Sequence, residues 1–412
     1  MSSQVFLLII SKLMNTMNHL IGNPYLENGN ELCQSSSNPQ EIGPYISSRD
    51  TRNSNNNTST IFVRNAILKE ECGWWSSVLG SDDSIYGIPA DARRVAKFNP
   101  FNLEMTLIGP DLGDCRNKFY GGVLFPDNGC IYCAPFNAQS MLKIDTIHGN
   151  VTPIPLPAKV QFSKWRTGAL AIDGCIYFMP YSANHILKVN PADDSISSIR
   201  VGHYIGEGCK YWTAIAGSDG CIYGIPCNTK IILKYDPVKN EVSCVGKVSK
   251  RDFVCFGGAL GRDGNIYAAN NRGQILMIDI QNDDYRFLTT YVKSNHQRDG
   301  WADGILGGDG CIYWPPCNAS FVLKFDPSKK KAELVGERME TRTWKWFGGA
   351  LATNGFIYCI PNRGKSVLVI NTPTRSMKEL GDLVRLGTAE STESRTREIL
   401  ISKYGLENLF QN

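Results

Sequence analysis

Trp74, Phe119, Trp165, Tyr211, Trp301 and Trp346 stand at one recurring place in the chain, five residues before an apolar anchor that is Leu in six copies and Ala216 in one, and Cys255 fills a seventh occurrence. A second ring follows directly at Trp75, Tyr120, Trp212, Phe256 and Phe347. The same segments carry Arg116, Lys118, Lys164, Arg166, Lys210, Arg251, Arg298, Arg342 and Lys345. Flat rings beside cations can hold a sugar, a nucleotide-like molecule or an acidic peptide by stacking, cation–π contact and charge-assisted hydrogen bonds. The ligand-binding candidates are therefore Trp74, Phe119, Trp165, Arg166, Tyr211, Trp301, Arg342 and Trp346. A second loop row supplies amides: Asn137, Asn184, Asn228, Asn270, Asn318 and Asn362. Both rows also have a purely structural reading, rings wedged between sheets and Asn capping turns.

Catalytic constellations are sparse. Asp303 has no acidic counterpart at the matching positions Ser76, Gly121, Thr167, Thr213, Gly257 and Gly348. Of five histidines, His185, His203 and His296 fall in the aromatic and amide loops, where solvated side chains are the plain reading. The chain has no Gly-x-Ser-x-Gly elbow, no phosphate-cradling loop and only one Cys-x-x-Cys pair, Cys130 with Cys133. No catalytic residue, metal ligand or cofactor is assigned.

The elements that must position these residues follow from a repeat. Ile-Tyr occurs seven times, with Tyr at 86, 132, 177, 223, 267, 313 and 358, a spacing of 44–46 residues. Each unit reads as four short strands. A small apolar run leads to an Asp-Gly or Asn-Gly turn, which accepts the positive φ of a tight hairpin. Ile-Tyr forms the second strand, closed in most copies by Pro. The third ends in several copies at Asp-Pro or Asn-Pro, and the fourth closes near Val-Gly. A lone four-stranded meander leaves two apolar faces open. Seven arranged radially cover one another, so the expected fold is all-β, a seven-bladed β-propeller of four-stranded antiparallel blades. Ser59–Arg64 has strand character and is expected to add to, or replace, the outer strand of blade seven.

The unit Gly-x-Leu-x-x-Asp-Gly-x-Ile-Tyr…Leu-Lys-x-Asp-Pro, over roughly residues 70–384, resembles the broad class of seven-bladed propellers with NHL-type, streptogramin-lyase-like and SMP-30-like repeats. It lacks the blade-ending Trp-Asp of WD40 repeats and the Tyr-to-Trp spacing of kelch. The resemblance implies that the first strands line a central channel and that both loop rows share its mouth. Hydrolytic members of the class use carboxylates on the channel floor and lyase-like members use His, patterns matched here only by single residues. Fold alone does not transfer function.

The expected domains are a low-complexity, largely disordered arm (1–58), the propeller (59–384) and a polar tail with room for a short helix (385–412). The 412 residues carry 43 basic and 39 acidic side chains. That mild excess does not favour nucleic acid, and no apolar run approaches the roughly 20 residues of a membrane span. Cys130, Cys175, Cys221 and Cys311 share one repeat position, so the ring would hold them too far apart to pair. The N-terminus makes a poor secretory signal, and a cytoplasmic location is expected. Together these features predict a non-catalytic binding or scaffolding module, a monomer or a subunit of a larger assembly. Its channel-mouth face would take a protein or a small polar ligand. The alternatives are a lyase or lactone-hydrolase-like enzyme, and a lectin with one pocket per blade.

Overall fold

The turn between the first two strands shows why the repeat reads as it does. In blade three, Asp173 Oδ1 accepts the Cys175 N–H at 3.1 Å, closing the turn, while Oδ2 accepts the Tyr177 hydroxyl at 2.6 Å. Gly174 takes the positive φ (77°) that the turn requires. Asp and Tyr must therefore be four residues apart. The same bond recurs as Tyr223–Asp219, Tyr267–Asp263 and Tyr313–Asp309. In blades two and seven, Asn128 and Asn354 replace the acid and donate to Tyr132 and Tyr358. Blade one, which has no Asp-Gly, uses Asp82 for the tyrosine and Asp83 for the positive φ. Opposite four of the tyrosines on the third strand, Lys97, Lys188, Lys234 and Lys324 pair with the turn carboxylate and lie over the ring. Lys143 lies over its own tyrosine too but pairs with Asp194 of the next blade.

These hairpins build a ring of seven antiparallel sheets in a computed structural model that describes residues 45–47, 58–64, 73–157, 164–202, 209–248, 255–270, 273–292, 300–340 and 344–372. Blade four is representative: Tyr211–Ala216, Ile222–Pro226, Ile231–Asp236 and Glu241–Lys247, in chain order from the axis outward. All the named elements are strands. No helix among the described residues is long and apolar enough to cross a membrane.

The second strands are buried throughout, as in Ile176–Pro180 and Ile222–Pro226. Both faces of each sheet meet a neighbour, and seven clusters of buried side chains follow the seven blade junctions. Cys130, Cys175, Cys221 and Cys311 sit there as free, buried thiols.

Ring closure uses the two ends of the propeller. Thr60–Arg64 pairs antiparallel with Val367–Asn371, in the outer position of blade seven. On the inner side, the Ile360 N–H donates to Ser77 Oγ of blade one at 2.9 Å. Tyr45–Ser47, inside the segment expected to be structureless, pairs with Phe62–Arg64 and makes this sheet five-stranded. The exposed edge of Thr60–Arg64 offers unpaired backbone groups that template such an addition. Apart from Thr58, the rest of the expected arm and the 385–412 tail lie outside the described residues.

The Asp173 and Asp219 carboxyls are held below the ordinary carboxylate range. Burial pushes each up, but the tyrosine hydroxyl, the turn N–H and the facing lysine together outweigh it. A folded-state value below the unfolded one adds stability above the unfolded value and loses it as pH falls through the folded one. The thermal midpoint is thus expected to drop between pH 6 and pH 3, and Asp173→Asn should flatten the drop; a midpoint insensitive to acid would contradict this.

Candidate ligand-binding face

The first strand of a blade begins with two consecutive side chains of opposite destiny. Pairing with the second strand shifts register between Trp74 and Ser77, Trp165 and Gly168, Tyr211 and Thr213, and Cys255 and Gly258. Such a bulge re-aims a side chain. The leading ring enters the blade junction; the next residue turns to the axis.

Sequence reasoning chose the leading ring. Trp74, Phe119, Trp165, Tyr211, Trp301 and Trp346 are only 0–4% exposed and belong to the junction clusters, not to the surface of the mouth. Four of the indoles donate to a backbone carbonyl 20 residues on: Trp74 to Arg94, Trp165 to His185, Trp301 to Phe321 and Trp346 to Ser366, at 2.8–3.0 Å. A large ring whose only polar atom is satisfied within its own blade is a packing element. Arg342 lies outside the described residues, as do Arg251, Arg298, His203 and His296.

Arg166 and the second rings gather at the axis. Trp75, Tyr120, Trp212 and Phe347 form one cluster with Ala302, Cys227 and Cys317. Trp75 stacks on Phe347 at 3.6 Å and meets Tyr120 at 4.0 Å; the chain of rings continues through Phe136 to Tyr181. Arg166 projects among them, its guanidinium carbon 3.3 Å from the centre of Trp212, 4.2 Å from Tyr120, 5.0 Å from Trp75 and 5.1 Å from Tyr181. Burial lowers its affinity for the proton.

On the next position of the first strands, Ser76, Thr167, Thr213 and Asp303 supply the polar groups. Thr213 Oγ1 donates to Asp303 Oδ1 at 2.7 Å. Burial pushes the Asp303 carboxyl up to about 7, against the pull of Thr213 and of the Arg166 charge.

Several of the remaining basic residues and amides are spent on the fold. Lys118, Lys210 and Lys345 are buried and donate to loop carbonyls of the preceding blade, among them Asp91, Ala183 and Ala319. Their backbones lace the two loop rows into one face: the Lys210 N–H donates to Tyr181 O, and its carbonyl accepts from Cys227 N–H. Asn137 bridges the Arg116 carbonyl and Lys164, Asn270 bonds Gln274, and Asn318 accepts the Trp344 N–H. Asn184 and Asn228 are exposed, and the Asn362 N–H donates to Lys345 O.

Sequence reasoning missed Trp344. It is 41% exposed, its backbone lies in the left-handed region (φ 65°), and Arg363 sits over its ring at 4.7 Å. Its ring meets Trp75 and Phe347 edge-on, each at 6.2 Å. No repeat marks it, because it falls two residues before Trp346 in one blade alone. Phe136 and Tyr181 were legible in principle, as aromatics following the strand-ending Pro135 and Pro180.

On the opposite face a groove of about 660 Å³ extends across blades four to six, lined by Asp219, Asp263, Asn282, Arg286 and Lys330 among others. Asp219 and Asp263 are engaged there by Tyr223 and Tyr267. Among the described residues no three His, Cys, Asp or Glu side chains cluster as a metal would need.

At the level of sequence, no family profile and no curated protein matches the chain. Solved structures share its architecture. A streptogramin B lyase is 13% identical with a TM-score of 0.64, over 76% of this chain and 97% of that one. Virginiamycin B lyase from Staphylococcus aureus is 13% identical with the same TM-score, over 76% and 99%. Kuenenia stuttgartiensis hydrazine synthase is 12% identical with a TM-score of 0.58, over 74% and 97%. At these identities the likeness is one of fold: the chain shares the propeller architecture of these proteins.

Trp165→Ala and Trp346→Ala should each destabilise the protein by about 3–5 kcal/mol, the usual effect of emptying a buried aromatic site. Denaturant unfolding checks this; wild-type stability in both variants would return those rings to the surface.

Proposed function

We propose that the protein is a non-catalytic binding or scaffolding module that takes a protein or a small polar ligand on its channel-mouth face. The observation carrying this reading is Trp344. A bulky side chain held in the left-handed region is strained by an amount of order 1–3 kcal/mol, and such strain gathers at ligand clamps. Here it presents an exposed indole at the rim, backed by Arg363 and continuous with the rings around Arg166. A rigid aromatic joined to an arginine is the composition of an interface hot spot. The axial rings beneath are packed against one another, which suits a surface that captures a group at the mouth. The proposal includes a cytoplasmic location and a monomer or a subunit of a larger assembly.

One observation favours a second reading, a propeller enzyme of the lyase or lactone-hydrolase kind. Asp303 stands in the channel and accepts from Thr213 at 2.7 Å, and burial pushes its carboxyl up to about 7, toward the range that suits a general base.

Immobilised full-length protein should retain a specific component of native extract, and the component, once identified and purified, should rebind. Trp344→Ala combined with Arg363→Ala is expected to weaken that binding at least about tenfold, as loss of a hot spot does. Asp303→Asn should leave it in place. Unchanged binding by the double variant would overturn the reading, and turnover of the retained component that Asp303→Asn abolishes would favour the enzyme.

A further inference from the structure

We infer that the axial Arg166 is the receptor for a carboxylate group borne by the ligand of the mouth face, an inference that rests on the binding reading above. Arg166 is 3% exposed, and its Nη1 is enclosed without any hydrogen-bond partner. A buried cation is ordinarily both paired and hydrogen-bonded, because desolvation costs several kcal/mol per ion. The same face supplies the comparison. Lys118, Lys210 and Lys345 are as deeply buried, and each ammonium donates to loop carbonyls at 2.8–3.4 Å. The fold satisfies its structural cations and leaves this one with rings alone.

Rings stabilise the charge but accept no N–H in the way a carboxylate does. Asp303, the carboxylate whose charge acts on Arg166, makes no ion pair with it among the described residues, and one of its oxygens is occupied by Thr213. The shape of the site selects the anion. The Trp212 ring centre lies 3.3 Å from the guanidinium carbon, a π contact that leaves the Nη1 donors without an acceptor. A planar carboxylate pairs with the guanidinium through two parallel hydrogen bonds and needs less room among the four rings than a tetrahedral sulfate or phosphate. Tyr181 is the least enclosed of the four surrounding rings and marks the side of approach. A free organic acid and an acidic peptide carry the same group.

The full chain is titrated with sodium benzoate and with an oligo-Glu peptide, against sodium sulfate at matched ionic strength, with tryptophan fluorescence and the thermal midpoint as readouts. Benzoate should give a saturable change and a raised midpoint that sulfate does not reproduce. Arg166→Gln should weaken benzoate at least about tenfold, the scale of a charge-assisted bond, with Arg166→Lys intermediate. Asp303→Asn, which removes a nearby negative charge, should tighten benzoate and remains informative if Arg166→Gln fails to fold. Trp344→Ala should weaken the peptide and spare benzoate. Equal benzoate binding by Arg166→Gln, an equal response to sulfate, or no tightening in Asp303→Asn overturns the inference. Peptide binding that depends on Trp344 but not Arg166 would sink it while the mouth-face reading stood. Benzoate binding that depends on Arg166, with peptide binding indifferent to Trp344, would do the reverse.

Discussion

Closure of the ring is the constraint on which the rest depends. A twisted four-stranded sheet of this composition is apolar on both faces and is stable only between two neighbours. Six of the seven junctions join blades adjacent in sequence; the seventh joins the last blade to the first. There the Val367–Asn371 edge is covered by Thr60–Arg64, Val63 packs into the cluster that holds Trp74 and Tyr358, and Ser77 caps the Ile360 N–H. The latch brings residues about 300 positions apart into one sheet. Bringing such distant segments together costs more loop-closure entropy than a local hairpin, although that cost grows only logarithmically with separation.

Much of this was legible before any coordinates. Asp or Asn four residues before a tyrosine, with a glycine between, encodes a turn whose two carboxylate oxygens have separate tasks, so the repeat count and the strand pattern followed directly. The outer strand at Thr60–Arg64 was readable from the strand character of its residues. Blade one was harder, because Asp82 and Asp83 divide the work that Asp-Gly does elsewhere.

The site was legible only in outline, for a physical reason. Counting residues located the paired aromatics, but a bulge of one residue decides which of two adjacent rings enters the junction and which reaches the axis. Sequence alone does not show that bulge, so Trp74 and Trp165 were preferred over Trp75 and Trp212. Nor does it show that Lys118 or Lys210 is consumed by loop carbonyls, while Arg166, in the same loops, is not. Among the described residues the mouth is therefore less basic than its composition suggests, and the cations that lie against its rings are Arg166, Lys164 and Arg363. In a site so enclosed by rings, one charge has a longer reach than several solvated ones.

Hydrogen exchange in a chain lacking residues 1–64 probes the central claim most directly. If closure holds the rosette together, the amides of Ile85–Pro89 and Phe356–Cys359, on either side of the seam, should lose protection well before those of Ile222–Pro226 across the ring. Protection in the truncated chain equal to that of the full-length protein would show that the blades stand without the latch, and would contradict the account.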